Sequence, residues 1–410
     1  MTSFDPTQWA ARIRAQTEFE RQREAPPDGF PALEPLPTGR YTDPAFYELE
    51  RQFVWKKTWL LVGREEDFTD PGSFRTTTRT GSPVLIVRGT DGVLRAFFNT
   101  CQHRGAPVVR EACGAARRLR CQYHSWTYDL EGHLIGVPDQ RDFADLDLSE
   151  RSLQPVQCES YDGWVFVNED TTAPPLADWL GPVAAEWSPL QGASLRAHGT
   201  RTQRVPANWK IVADAFLETY HVQTIHPRSV AKLLDPRGAA MGLFPAGHSR
   251  MVTPKWEAAV ERIRSAPGPL PDIPDLDPLY AETNPAYSLF PNLITPLDTV
   301  GFPFITFWPI DLVTTEVEWT FYGPPSETSA QDAGWAQLIE LFDGVMEEDF
   351  GNLAPMQQSI ASGALASIPL NYQERRIYHL HEEIDRQIGS HRIPEELAIT
   401  PLLEPFWETA

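Results

Sequence analysis

Cys101-Gln102-His103-Arg104-Gly105-Ala106 and Cys121-Gln122-Tyr123-His124-Ser125-Trp126 are the two stretches whose reading decides this fold. Together they give the spacing C-x-H-x17-C-x2-H, in which each short knuckle offers one sulfur and one nitrogen ligand. Two thiolates and two imidazoles so arranged hold two irons in different ligand fields. Cys101 and Cys121 grip the ferric iron, and His103 and His124 hold the iron that takes the electron. Tetrahedral zinc also accepts two cysteines and two histidines, but zinc knuckles usually pair like with like, as C-x2-C and H-x3-H. The mixed knuckles therefore favour a two-iron cluster over a structural zinc.

Such a cluster is a Rieske [2Fe–2S] centre, in which nitrogen ligation raises the reduction potential above that of an all-thiolate cluster. Outward from the knuckles, short apolar runs alternate with turns. Residues 83–88, 94–99 and 163–168 read as strands at the spacing of a small all-β domain. That domain is expected over 59–170, with both knuckles on loops at one tip. The preceding segment, 1–58, is expected to be helical and to pack on the remainder, 171–410. It opens with a helix within 1–24, continues through a linker punctuated by Pro26, Pro27, Pro31, Pro35 and Pro37, and ends in a helix over 44–59.

A second constellation lies in 171–410. Asn208 is placed to cap a helix that is expected to carry Glu218 and His221, with His226 following just ahead of Pro227. Far downstream, Glu347-Glu348-Asp349 falls in a helical region over 332–362, where Pro355 predicts a break or kink. Two imidazoles and one carboxylate form the facial triad that binds ferrous iron and leaves neighbouring positions open. The stretches 300–309 and 314–322 alternate apolar and polar residues as half-buried antiparallel strands do. Periodicity alone gives an α+β class. His133, His198, His248, His379, His381 and His391 are read as ordinary core or surface histidines.

With both motifs in this order, the chain resembles the Rieske non-haem iron oxygenases, specifically their catalytic α subunits, over about residues 41–358. The resemblance implies an all-β Rieske domain set into a helix-grip catalytic domain of antiparallel sheet plus helices. It implies one [2Fe–2S] cluster on Cys101, His103, Cys121 and His124, and one mononuclear Fe(II) on His221, His226 and Asp349. Asp349 is preferred to Glu347 and Glu348 because its position ahead of Asn352 and Gln358 is similar to the family's carboxylate helix. Glu218 then matches the catalytic carboxylate that bridges a ligand histidine to a Rieske histidine of the neighbouring subunit. Most members have aspartate there, and members that oxidise quaternary amines such as carnitine have glutamate. Respiratory-chain Rieske proteins carry disulfide cysteines where this chain has Ala106 and Tyr123, so the cluster resembles the lower-potential oxygenase type.

The implied activity is that of an oxidoreductase, a terminal mono- or dioxygenase. It would hydroxylate an aromatic or other small organic substrate with O2 and electrons from a separate NAD(P)H-dependent reductase or ferredoxin, as a homotrimer with or without a β subunit. The alternatives are oxidative demethylation or hydroxylation of a quaternary ammonium compound and, in another class, a Rieske electron-transfer protein without oxygenase activity. No glycine-rich nucleotide fingerprint is visible, which places NAD(P)H oxidation on a partner chain.

Charge and cysteine usage narrow the setting. The 35 basic and 56 acidic residues leave a formal net charge of −21, which argues against binding nucleic acid or an anionic membrane. The N-terminus lacks a signal-peptide pattern and no apolar run reaches spanning length, so a cytoplasmic protein is expected. Cys113 and Cys158 read as ordinary thiols. Arg104, Arg110, Arg117, Arg118 and Arg120 crowd the cluster loops, either as a solvated patch or as a docking surface for an acidic partner. The aromatic stretches 290–292 and 302–308 suggest an apolar cavity, a cage for a trimethylammonium group, or core.

Overall fold

Val84, Leu85, Ile86 and Val87 are each at most 1% exposed, an apolar run that needs cover on both faces of its strand. The computed structural model, which describes residues 5–408, provides it. In the unit Arg51–Trp179 the strands are β1 (Leu60–Arg64), β2 (Ser73–Thr77), β3 (Val84–Arg88), β4 (Leu94–Phe98), β5 (Cys113–Ala115), β6 (Leu119–Arg120), β7 (Thr127–Tyr128), β8 (Leu134–Gly136), β9 (Pro155–Tyr161) and β10 (Trp164–Asn168). They form an antiparallel sheet in the order β1-β10-β9-β4-β3-β2-β5 and a second one, β6-β7-β8. Alternation along β3 feeds two cores. Val84 and Ile86 join Phe68, Val156, Val165 and Val167. Leu85 and Val87 join Cys101, Cys121, Trp126 and Tyr128, so both candidate ligand cysteines are rooted in packed apolar surface.

The other unit comprises Met1–Glu50 and Leu180–Ala410. Helix α1 (Pro6–Gln22) starts where the Asp5 side chain accepts from the backbone N–H of Thr7 and Gln8, with Pro6 in the first turn. The helix expected over 44–59 runs only from Pro44 to Glu50 and then widens into a π-helical turn, Arg51–Trp55. Seven antiparallel strands make the main sheet: β11 (Arg196–Val205), β12 (Ala240–Leu243), β13 (Ser249–Pro254), β14 (Thr283–Leu289), β15 (Leu293–Pro296), β16 (Phe302–Asp311) and β17 (Thr314–Gly323). Their order is β11-β17-β16-β15-β14-β13-β12.

Helices α2 (Trp209–Asp214), α3 (Val222–Ile225), α4 (Ser329–Ala361) and α5 (Arg375–Ile388) complete what positions the site. Phe216, just after α2, packs on Phe307 of β16 at 5.6 Å, and Phe350 of α4 packs on Trp319 of β17 at 6.0 Å. Phe307 pairs with Val317 and Ile305 with Trp319, and residues opposite one another on antiparallel strands share a face. The histidine-bearing segment and α4 therefore lie on one face of the sheet. A break or kink is expected at Pro355; helix α4 runs through it without a break. Proline removes the donor to the carbonyl of Gly351, but Gly351 and Pro355 are both exposed, so water can take its place.

Candidate metal centres

The two cluster loops share one backbone design. Cys101 N–H donates to Ala106 O at 2.8 Å and Gly105 N–H to Cys101 O at 2.9 Å; Cys121 N–H donates to Trp126 O at 2.9 Å and Ser125 N–H to Cys121 O at 2.9 Å. The fifth residue of each loop is left-handed, Gly105 at φ 75° and Ser125 at φ 61°, which turns the chain back so that cysteine and histidine face the same way. The His103 and His124 rings lie 4.5 Å apart, and His103 stacks on Trp126 at 4.8 Å. Nδ1 of His103 is buried without a hydrogen-bond partner, which leaves a nitrogen lone pair for a metal. Burial raises the Cys101 thiol, the Tyr128 hydroxyl at 3.5 Å pulls it back, and the neighbouring Cys121 raises it again. Two buried thiols side by side with two half-buried imidazoles fit a [2Fe–2S] cluster, whose iron charge would hold both cysteines as thiolates.

His221, His226 and Asp349 also come together. One ligand atom from each lies within 4.8 Å of the others. Nε2 of His226 is 3.0 Å and Nε2 of His221 3.5 Å from Asp349 Oδ1. Each imidazole spends its other nitrogen on a carboxylate: His221 Nδ1 on Glu218, and His226 Nδ1 on Glu348 at 2.7 Å. Nδ1 is then the protonated nitrogen and Nε2 offers its lone pair toward Asp349, the tautomer a metal site needs. Burial pulls the His226 pKa down, but the hydrogen bonds and charges of Asp349 and Glu348 outweigh it and the net shift is upward. The Ser229 hydroxyl, followed by His226, holds Glu348 below its usual value. A divalent cation would replace the proton that these carboxylates favour, so the residues fit ferrous iron.

Glu218 reaches His221 by another route than a shared helix face. Helix α2 stops at Asp214, and tight turns from Phe216 N–H to Ala213 O and from Leu217 N–H to Asp214 O close it. The Glu218 carboxylate then folds back to accept from the backbone N–H of Tyr220 and His221. His221 stands just before α3, a single turn. Asn208 caps α2 as expected, its Oδ1 accepting from Lys210 N–H at 3.0 Å.

Behind the site runs a chain that sequence reading missed. Arg40 Nε donates to His381 Nδ1 at 2.9 Å, and arginine can only donate. The His381 proton is therefore on Nε2, aimed at the Tyr41 oxygen 3.0 Å away, and the Tyr41 hydroxyl donates to Asp214 at 2.7 Å. Burial lowers His381 well below its ordinary value, keeping it neutral, and pushes Asp214 up to about 7. Beside them Lys210 pairs with Glu50 at 2.6 Å, both fully buried. No local pattern links Tyr41 to a histidine 340 positions away. Glu348 was legible only as a rival of Asp349.

Strand alternation sends Phe302 and Phe304 to the opposite face, where Phe304 packs on Trp187 at 5.5 Å; of the aromatics in 302–308, Phe307 shares the face of the histidine segment. All four cysteines are free, and burial lifts the Cys158 thiol to about 12. Arg104, Arg110, Arg117, Arg118 and Arg120 are all exposed. Among the described residues no helix is long and apolar enough to cross a membrane.

Comparison with known proteins covers both units. Residues 58–158 match the Rieske [2Fe-2S] domain, and residues 192–390 match the ring hydroxylating alpha subunit (catalytic domain). The glycine betaine monooxygenase oxygenase subunit of Pseudomonas aeruginosa is 32% identical over 200 residues, 49% of this chain and 46% of the relative. The chlorobenzene dioxygenase subunit alpha of a Cupriavidus species is 34% identical over 190 residues, 45% of this chain and 42% of the relative. The chain thus spans about half the length of the curated relatives it matches. A quaternary ammonium Rieske monooxygenase, described for carnitine oxidation and inter-subunit electron transfer, superposes with a TM-score of 0.74 at 23% identity over 89% of this chain and all of the other.

Proposed function

The chain belongs to the Rieske non-haem iron oxygenases, as a catalytic α subunit, and from that premise we propose that it is the terminal oxygenase of a multicomponent system acting on a small quaternary ammonium compound. The observation that carries the reading is the tautomeric arrangement: two imidazoles, each fixed at Nδ1 by its own carboxylate, present Nε2 to Asp349. When bound, the mononuclear iron would supply a site for reductive activation of dioxygen. Asp349 supplies the anionic ligand, Glu348 and Ser229 orient His226, and Glu218 orients His221. In the same reading Glu218 faces His124 of a neighbouring subunit in a homotrimer, electrons come from a separate NAD(P)H-dependent reductase or ferredoxin, and the exposed arginines near the cluster are where that donor docks. The division into a helical segment 1–58, a Rieske domain 59–170 and a catalytic domain 171–410 belongs to this proposal.

A quaternary ammonium substrate is favoured over an aromatic one by glutamate rather than aspartate at position 218 and by relatives named for glycine betaine and carnitine. Ring hydroxylation is the second reading, supported by the chlorobenzene dioxygenase match. The test is product analysis by mass spectrometry with a surrogate reductase and labelled dioxygen, on a panel of betaines, carnitine and aromatic acids. Label in a demethylated or hydroxylated quaternary amine supports the proposal. Label in aromatic diols alone transfers it to the second reading. No labelled product, with about two irons per chain rather than about three, identifies an electron carrier instead.

A further inference from the structure

Among the described residues of the catalytic unit, Arg40, Arg250, Arg375 and Arg376 are buried arginines, none more than 5% exposed. Three have an acid to answer the charge: Arg40 pairs with Asp385, Arg250 with Glu186 and Glu408, and Arg375 with Glu20. Arg376, 1% exposed, differs. Its Nε donates to Ser249 Oγ at 2.9 Å, while Nη1 and Nη2 are both buried with no hydrogen-bond partner. Burial, helped by Arg375 and Arg250, pulls its pKa down to about 9, and no acid pulls it back. At neutral pH the guanidinium is still charged. A buried charge with unused donors is costly, and such a group calls for a ligand, ion or water to satisfy it.

The position of Arg376 says which. Ser249 begins a row across the sheet, Ser249–Ser288–Ile294–Ile305–Trp319, each pair in register on neighbouring strands. These residues share one face, and its far end is where Trp319 meets Phe350, the neighbour of Asp349. Arg376 therefore rests on the same sheet face as the candidate iron site, and Ser249 is about 14 Å along the row from Ile305. Glu374, just before α5 and two residues before Arg376, has its pKa raised by burial and, to a lesser degree, by the charge of Glu218, so the two regions are neighbours. Beside Ser249 on this face lies a small apolar cluster of Ala239, Met241, Met251 and Ala286.

We infer that Arg376, supported by Ser249, is the subsite for a carboxylate on the substrate, whose oxidisable end extends from there along the apolar face toward His221, His226 and Asp349. The two free Nη atoms form the planar fork that a carboxylate meets with two parallel hydrogen bonds. The inference deepens the proposed function and rests on it for the reaction. The charge recognition stands apart from it, because a trimethylammonium acid and an aromatic acid present the same carboxylate.

The experiment is calorimetric titration of the holoenzyme and of Arg376→Met with three probes. Glycine betaine carries both groups, choline keeps the trimethylammonium without the carboxylate, and benzoate keeps a carboxylate without the ammonium. At least one carboxylated probe is expected to bind the wild type about 10- to 100-fold more tightly than the variant, with choline the same in both. Loss confined to benzoate keeps the Arg376 subsite and removes the quaternary ammonium reading. Equal affinities in wild type and variant, no carboxylate binding to the wild type, or an equal loss for choline overturns the subsite. Thermal melts give an independent readout. Without ligand, Arg376→Met should melt no lower than wild type, because an unanswered buried charge has been removed, and the carboxylated probe should raise Tm only in the wild type. A variant that is destabilised or does not fold shows that the guanidinium serves packing, which also overturns the inference.

Discussion

In the candidate cluster loops the backbone does the holding, whereas at the candidate mononuclear site side chains do it. Each loop repeats the same two main-chain hydrogen bonds around a left-handed fifth residue, and its cysteine is anchored in core. At the other site His221, His226 and Asp349 come from segments more than a hundred residues apart, and their aim depends on Glu218, Glu348 and Ser229. A backbone-held site should tolerate any change that spares its ligands and its turns. A site held by charged side chains should respond to neighbours that never touch the metal.

The largest effect expected from this contrast is a clean separation of the two centres, since they stand on separate compact units. Cys121→Ser should remove the Rieske EPR signal and leave about one iron per chain, and Asp349→Ala should keep the signal and leave about two. Loss of both centres in either variant would show that the units do not hold their metals independently. Next comes Glu348→Ala, which should weaken mononuclear iron binding about 10- to 100-fold by freeing the His226 ring, while the exposed Glu347→Ala leaves it unchanged. Equal iron affinities for these two variants in a chelator competition would remove the orienting role of Glu348.

A smaller effect concerns Asp214 at the end of the buried chain behind the histidines. Burial, above all, raises its pKa from 3.8 to about 7 in the folded state. The native protein therefore holds this proton more tightly than the unfolded chain does. The stabilisation is full below about pH 4 and is lost as pH rises through about 7. The Tm of wild type relative to Asp214→Asn should accordingly fall between those values; a flat difference would mean that Asp214 titrates as an ordinary carboxylate. The smallest effect belongs to Gly105→Ala. Nothing lies within 4 Å of an added Cβ, so the cost is the left-handed backbone alone, about 1 kcal/mol, with the cluster signal kept. Ser125 already occupies the matching position with a side chain. A colourless Gly105→Ala protein would show that the loop is less tolerant than its backbone design implies.

The same contrast explains what was legible. The cluster knuckles could be read directly because their geometry is local: ligand, turn residue and returning hydrogen bond fall within six positions. Of the strands, β3, β4 and β10 were legible as short apolar runs between turns over 83–88, 94–99 and 163–168, and β16 and β17 as alternating stretches over 300–309 and 314–322. The helix expected through Glu218 and His221 was not legible as the broken segment it is. What stops α2 is a pair of tight turns, and the Glu218 side chain then takes over backbone donors that a helix would have used.

By itself the sequence named the candidate ligand sets: mixed cysteine and histidine knuckles for one centre, and two histidines with a distant carboxylate for the other. Only the tertiary structure decided how those groups are aimed and what stands behind them, namely Glu348 on His226, the chain from Arg40 through His381 and Tyr41 to Asp214, and a buried Arg376 with no acid to meet it. The physical reason is range. Ligand identity and turn geometry are set within a few residues, whereas tautomers, desolvated charges and unanswered donors exist only once segments hundreds of positions apart are packed against one another.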